Sequence, residues 1–368
     1  MQDSFDVIVI GSGAIGAACG RELALAGRRV LLLDRAPRGG EAWAAAAGML
    51  APQIEAGPDD PIFQLGIAAR ERYVELAPAL QESVGIDIGL WLEGIARVAV
   101  AAEDVAELRA RAAWQRQQGH LCDWFDPAEV KARYPWIGAN QGALWAPRDG
   151  ALDPPALVKA LRADAERLGA TLELVDQVTI LRDGDRVVGV QAGRKYSAEH
   201  VVVAAGAWSA EIGGLPRPVS VEPVRGQMAA LPWPEGIEPA IVHGGNAYVV
   251  ARGAEAIIGS TMEFAGFDPS TTSAGLARIF AGASALCPSL AGLKVTRTWA
   301  GLRPMTPDGR PIIGAEPRAR GLWYATGHGR NGILMAAMTG AVVASLIGEQ
   351  PIVVEGLAAV SPERFWRW

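Results

Sequence analysis

Residues 7–34 constrain this chain more than any other stretch. Val7-Ile8-Val9-Ile10 is an apolar run of strand length, and it meets Gly11-Ser12-Gly13-Ala14-Ile15-Gly16. A small-residue, helix-prone run continues to Ala26, and a second apolar run, Val30-Leu31-Leu32-Leu33, ends in Asp34, 18 positions after Gly16. Strand, glycine turn, helix, strand and acid follow in the order that a dinucleotide-binding βαβ unit requires. Gly11 permits the sharp turn, Gly13 lets backbone approach a pyrophosphate, and Gly16 lets helix pack close on strand. The N–H groups opening the helix would face the phosphates, with the helix dipole behind them. Asp34 would bond a ribose 2′-hydroxyl, which disfavours a 2′-phosphate. The pattern leaves open whether the dinucleotide is NAD or FAD.

A chain of 368 residues can bury a large core and form two intimately joined subdomains. Half of its residues are hydrophobic and one fifth are charged, as in an α/β enzyme. The net charge of −6, without a basic run, argues against a nucleic-acid face. Cys19, Cys122 and Cys287 have neither metal nor redox spacing, so reduced thiols and a cytoplasmic location are expected. The four histidines have no metal spacing, and no metal is expected. No basic flank with an apolar signal run precedes the first strand. The longest apolar run, 333–347, reads as a buried helix too short to span a bilayer. A homo-oligomer is left open.

Along the chain, 63–84 and 105–118 read as helices. Asp153 caps a third helix, with Pro154 and Pro155 in its first turn and Leu157, Val158, Leu161, Ala165 and Leu168 on one face. Strands are expected at 171–174, 178–182 and 187–191, with Asp183-Gly184 turning the last pair. Val201-Val202-Val203 reads as a buried parallel strand running into the small-residue turn Ala204 to Ser209. From 219 to 300 the pattern becomes short strands broken by Pro and Gly, interrupted by a helix that Pro288 stops. The fold class expected is α/β: a Rossmann-like domain with an inserted, mostly antiparallel sheet. The nucleotide domain would take 1–85, 151–215 and 301–368, and the inserted domain 86–150 and 216–300.

Two arginines stand out by context. Arg303 ends a strand in Trp299-Ala300-Gly301-Leu302-Arg303-Pro304, and Arg330 lies in Gly327-His328-Gly329-Arg330-Asn331-Gly332, before the apolar helix. A guanidinium matches a carboxylate in charge and geometry, although lone arginines are more often solvated or paired with an acid. The glycine turn at 327–332 suits a second cofactor contact, its helix dipole favouring negative charge. Tyr248, on an inserted strand, could bond a substrate or simply pack.

Several of these stretches, in this order and over essentially the whole chain, resemble the D-amino-acid-oxidase-like FAD-dependent oxidoreductases. They are the turn 11–16; Ala45-Ala46-Ala47-Gly48-Met49-Leu50-Ala51-Pro52; Val201 to Ser209; Pro223-Val224-Arg225-Gly226-Gln227; Gly259-Ser260-Thr261-Met262; Trp299 to Pro304 with Asp308-Gly309-Arg310-Pro311-Ile312-Ile313-Gly314; and 327–334. The resemblance implies FAD. It puts flavin contacts on Ala14, Ile15, Asp34, Arg35, Ala47, Gly48, Met49, Val178 and the run His328, Gly329, Arg330, Asn331, Gly332, Ile333 and Leu334. Gly11, Gly13, Gly16, Ala42, Trp43, Ala46 and Gly206 are grouped with them. It puts the substrate carboxylate on Arg303, a second substrate contact on Arg330, the active-site tyrosine on Tyr248, and pocket-lining positions on Met49, Asn246 and Met262. The chain departs from the pattern at Ala42-Trp43-Ala44, at Asn246, where histidine can occur, and at Gly329, where an aromatic is usual. With no Cys after Cys287 and no His in 42–48, the FAD is expected to be noncovalent.

The implied activity is oxidative deamination of a small amino acid or amine: glycine, sarcosine or a small D-amino acid. Hydride would pass to flavin N5 and oxygen would yield hydrogen peroxide; the imine from glycine would also suit thiazole synthesis for thiamine. The rival readings are an FAD-dependent amino-acid or proline dehydrogenase passing electrons to a quinone or protein, an NAD-dependent reductase, and a flavoprotein acting on RNA-borne amines.

Overall fold

The computed structural model describes residues 4–350 and 352–365; the first three residues, part of the expected leaderless start, lie outside them. The apolar run at the N-terminus forms the strand Ser4–Ile10, at the centre of a mostly parallel sheet. It pairs in parallel with Val30–Asp34 on one side and Arg194–Val203 on the other. Thr171–Leu174 and Leu322–Thr326 extend the sheet in parallel, while Ile312–Ala315 runs antiparallel at one edge. Val7, Ile8 and Val9 are wholly buried, as a strand covered on both faces must be.

One face of this sheet is covered by four helices: Ala14–Leu25, Phe63–Val84, Pro154–Arg167 and Gly332–Ile347. Small residues set how near they come. A Cβ on Gly340 would lie 2.7 Å from the backbone of Ala18, and one on Gly20 2.8 Å from Leu32. The segment Gly329–Ile347 has the length and hydropathy of a membrane span, longer than the apolar run alone suggests, yet 67% of it is buried in the protein. It is a core helix, and hydrophobic on all sides for that reason. All three cysteines are free and buried.

The second sheet has eight strands among the described residues. Arg297–Met305, Glu222–Pro232, Glu255–Gly259, Ala247–Arg252 and Ile241–Gly244 run antiparallel in that spatial order. Ile95–Val98 joins in parallel, and Ala143–Ala146 and Asp123–Phe125 complete the sheet. Strand alternation sends Ala229, Leu231, Val249 and Ile258 to a core under the helix Ser273–Leu286. It sends Met228, Tyr248, Val250 and Trp299 to the opposite face, toward the first sheet. The last of the strands expected in 219–300 runs on to Met305, spanning Arg297–Met305. It is the edge strand, where Pro304, which has no N–H to donate, is tolerated.

Candidate active site

A cavity of about 1900 Å³ lies between the two sheets. Typical small-molecule sites occupy about 300–1,000 Å³, so there is room for a dinucleotide and a small second ligand. Of the residues expected in the site, all but Gly16 line this cavity. A Cβ on Gly16 would lie 1.8 Å from the carbonyl oxygen of Gly11, so this glycine serves helix–turn packing. Gly11 has φ +99° and its Cβ would strike Ala204 O at 2.5 Å. Gly13 differs from both: its Cβ would meet only the Trp43 ring, at 3.0 Å, with no backbone near. The bare backbone at Gly13 faces the cavity where a pyrophosphate would sit.

The helix Ala14–Leu25 opens with no side-chain cap, leaving its first N–H groups for an anion. Ser12 turns instead to Asp34, its hydroxyl donating to Oδ2 at 2.5 Å and its N–H at 3.1 Å. Arg162 donates to the same oxygen at 3.0 Å and to Ser12 O at 2.7 Å, fixing the acid at the strand end. Arg35 stacks on the Trp208 ring at 3.8 Å and reaches Glu41 at 3.5 Å.

The loop after the second strand holds a short helix, Ala42–Ala45, rather than coil throughout. Trp299 donates to Ala45 O at 3.1 Å, and Leu152 donates to Gly48 O at 3.1 Å. Gly48 has φ +89° and its Cβ would lie 2.0 Å from Leu152 O. Met49-Leu50 pairs with Gly150-Ala151. The backbone from Ala46 to Met49 is thereby held along the cavity wall. Across from it, Gly206 opens a 3₁₀ turn, and Val178 accepts from Gly213 N. The third wall is the 3₁₀ turn Gly329–Asn331 leading into the uncapped helix Gly332–Ile347. His328 hydrogen-bonds Thr339 Oγ1 at 3.0 Å, while its Nδ1 is buried without a protein partner. Burial lowers its pKa to about 3, so the imidazole is neutral. These residues fit FAD: a bare glycine backbone, uncapped helix starts, a fixed ribose acid and a long cavity.

The far end of the cavity carries the inserted sheet's inner face. Arg97, His243, Tyr248, Gly259, Met228 and Trp299 are successive cross-strand partners and form one row. Arg303 stands four residues beyond Trp299, on the same face. Its recorded partners are neutral: Ser260 Oγ at 2.7 Å and Thr261 O at 3.1 Å. Gly226 underlies it, and a Cβ there would lie 2.1 Å from Arg303 Nη1. Tyr248 donates to Met228 Sδ at 3.1 Å, and burial raises its pKa. Met49 is half-buried in the wall, Asn246 is exposed at the rim, and Met262 is 60% exposed.

Arg330, expected as a second substrate contact, is paired with an acid. Its Nε lies 2.6 Å from Glu55 Oε2, and its side chain is 57% exposed. Sequence reasoning does not single out Glu55, and it sets His243 aside with the other histidines for lack of metal spacing. Both line the cavity, and no motif marks either. Burial, then Arg97, Arg330 and Arg111, lower His243 to about 4.

Comparisons with known proteins agree with this geometry. A family profile described as FAD dependent oxidoreductase (DAO) matches residues 6–346. Glycine oxidase of Geobacillus kaustophilus (strain HTA426) is 35% identical over 353 residues, covering 94% of each chain. The bifunctional protein ThiO/ThiG of Nostoc sp. (strain PCC 7120) is 37% identical over 355 residues, covering 94% of this chain and 53% of that protein. The crystal structure of glycine oxidase from Geobacillus kaustophilus superposes with a TM-score of 0.92, at 33% identity and 98% coverage of both chains.

Proposed function

The chain belongs to the DAO family of FAD-dependent oxidoreductases, and from that premise we propose that it oxidises the C–N bond of a small amino acid or amine. Glycine, sarcosine and small D-amino acids are the substrate class. The family sets aside the NAD-dependent reading. Bound FAD would supply the two-electron acceptor: the substrate would lose hydride from Cα, and water would convert the imine to an oxo acid and ammonia, or to an oxo acid and methylamine for sarcosine. Oxygen is the proposed final acceptor, giving hydrogen peroxide.

One observation carries the substrate class. Arg303 presents a guanidinium to the cavity wall, and its hydrogen bonds among the described residues go to a hydroxyl and a carbonyl. Such a group matches a substrate carboxylate by charge and by parallel hydrogen bonds. Ser260 and Thr261 hold it from one side, and Gly226 gives it room. Tyr248, Met49, Asn246 and Met262 bound the space beside it. Catalysis is then positioning and electrostatics. The residues grouped above around Gly11–Gly13, Asp34, 42–49, Val178, Gly206 and 328–334 hold the cofactor noncovalently. The accompanying domain division gives 1–85, 151–215 and 301–368 to the cofactor and 86–150 and 216–300 to the substrate. The strand Arg297–Met305 crosses its last boundary.

Oxygen uptake by the FAD-loaded protein tests this reading, with glycine, sarcosine, D-alanine and D-proline supplied in turn. Uptake with peroxide formation is expected for at least one. Turnover only with an added quinone would make the protein a dehydrogenase of the same substrates. No turnover with either acceptor would overturn the substrate class.

A further inference from the structure

Five acids line the cavity: Asp34, Glu41, Glu55, Asp176 and Glu211. Four of them lie on segments around the dinucleotide end. Glu55 alone is ion-paired to Arg330, and its charge is felt at Tyr248. Asp60 shares a small side pocket with Glu55 and Arg330, but the charges that act most on the Glu55 carboxyl are cationic. Arg330, Arg97 and Arg303 all act on its carboxyl, and Arg111 donates to its backbone carbonyl at 3.5 Å while pairing with Glu107. Nearby His243 is neutral. An amino acid whose carboxylate sits on Arg303 would bring an ammonium group into this cationic surround. Among the described residues lining this end of the cavity, Glu55 offers the one carboxylate to receive it.

Glu55 is also held in place. The N–H groups of Gln53 and Ile54 each donate to Asp149 Oδ2 at 3.0 Å. Arg97 donates to Ile54 O at 2.7 Å. Arg330 Nε holds Glu55 Oε2 at 2.6 Å; a carboxylate offers about four acceptor sites, and this pairing takes one of them.

We propose that Glu55 receives the ammonium end of the bound amino acid and accepts its proton. An N–H bond breaks and a carboxyl O–H bond forms. The electron pair stays on nitrogen, which makes the amine ready to lose hydride from Cα. The proton then passes to water at the rim beside the exposed Arg330, restoring the carboxylate. The inference rests on the amine-oxidising reading and adds a catalytic residue to it. Burial raises the pKa of Glu55, which makes its carboxylate a stronger base than an exposed one.

The test uses FAD-loaded protein and whichever of the four amines above reduces it. Anaerobic flavin reduction is followed across pH for the natural chain, Glu55→Gln and Glu55→Asp, and glycolate, which lacks the amine, is titrated through its effect on the flavin spectrum. Glu55→Gln should reduce roughly a hundredfold more slowly near neutrality. Its rate should climb about tenfold per pH unit toward the amine's own pKa and there approach that of the natural chain. Glycolate affinity should be unchanged. Glu55→Asp should keep the natural pH profile, which also decides the matter if the glutamine variant does not fold. An unchanged profile in Glu55→Gln would overturn the assignment, as would a parallel loss of glycolate binding, which marks a prop for Arg330. If no amine reduces the natural chain, the underlying function fails first and this proposal with it.

Discussion

At the scale of single residues, glycines separate cofactor contact from packing. Gly13→Val meets only the Trp43 ring, at 3.0 Å and with no backbone near, so the variant should fold and purify colourless, unable to retain FAD. Gly16→Val drives Cβ into the Gly11 carbonyl and should fail to fold. Circular dichroism and the visible spectrum together distinguish the two; a yellow, fully loaded Gly13→Val would contradict the cofactor site. Arg303→Ala should lose about 2–4 kcal/mol of substrate binding, because the substrate carboxylate is left buried and unpaired. Steady-state KM and kcat check this, and unchanged values would sink the assignment. Gly226→Ala should displace the same guanidinium and raise KM roughly tenfold, about 1.4 kcal/mol. The glycines were legible in the sequence because they record backbone geometry directly. Glu55 and His243 were not, because their surroundings come from partners far along the chain: Arg330 for one, Arg97 for the other.

At the scale of elements, the loop carrying Met49 and Glu55 depends on a buried polar clamp. Asp149 is fully buried, takes two backbone N–H bonds from Gln53 and Ile54, and accepts from Arg70 Nη1 at 2.6 Å. Gln53 and Gln115 complete the network between the loop and the helix Ala102–Gln117. Asp149→Ala should cost about 3–5 kcal/mol, since it leaves the buried Arg70 guanidinium with Glu71 as its one acid partner and orphans the N–H groups of Gln53 and Ile54. Denaturant unfolding checks this; a loss below about 1 kcal/mol would show that the clamp is not structural. The long helices at 63–84 and 154–167 were plain from helical periodicity and from Asp153. The short strands Ile95–Val98, Asp123–Phe125 and Ala143–Ala146 were not, since three or four residues carry too little alternation to stand out. Pro304 hid the end of the strand that carries Arg303, because its place on an edge is a fact of the sheet and not of the local sequence.

At the scale of the molecule, one cavity is walled by segments from nearly the whole length of the chain. FAD would therefore tie together both sheets as well as fill a site. Binding that favours the folded state stabilises it by about 2.7 kcal/mol at a free concentration of 100 Kd. Removing FAD should lower the melting temperature, and restoring it should raise it in a concentration-dependent way. Thermal unfolding with and without added FAD checks this; identical curves would mean that the cofactor does not bridge the two halves. The central claim joins the dinucleotide end of the cavity to the guanidinium end. It is tested most directly by one anaerobic spectrum of the FAD-loaded protein, recorded as glycine, sarcosine, D-alanine and D-proline are added in turn. At least one of them should bleach the flavin bands in the natural chain, and Arg303→Ala should need far more of it to do so. Flavin bands untouched by all four would contradict it.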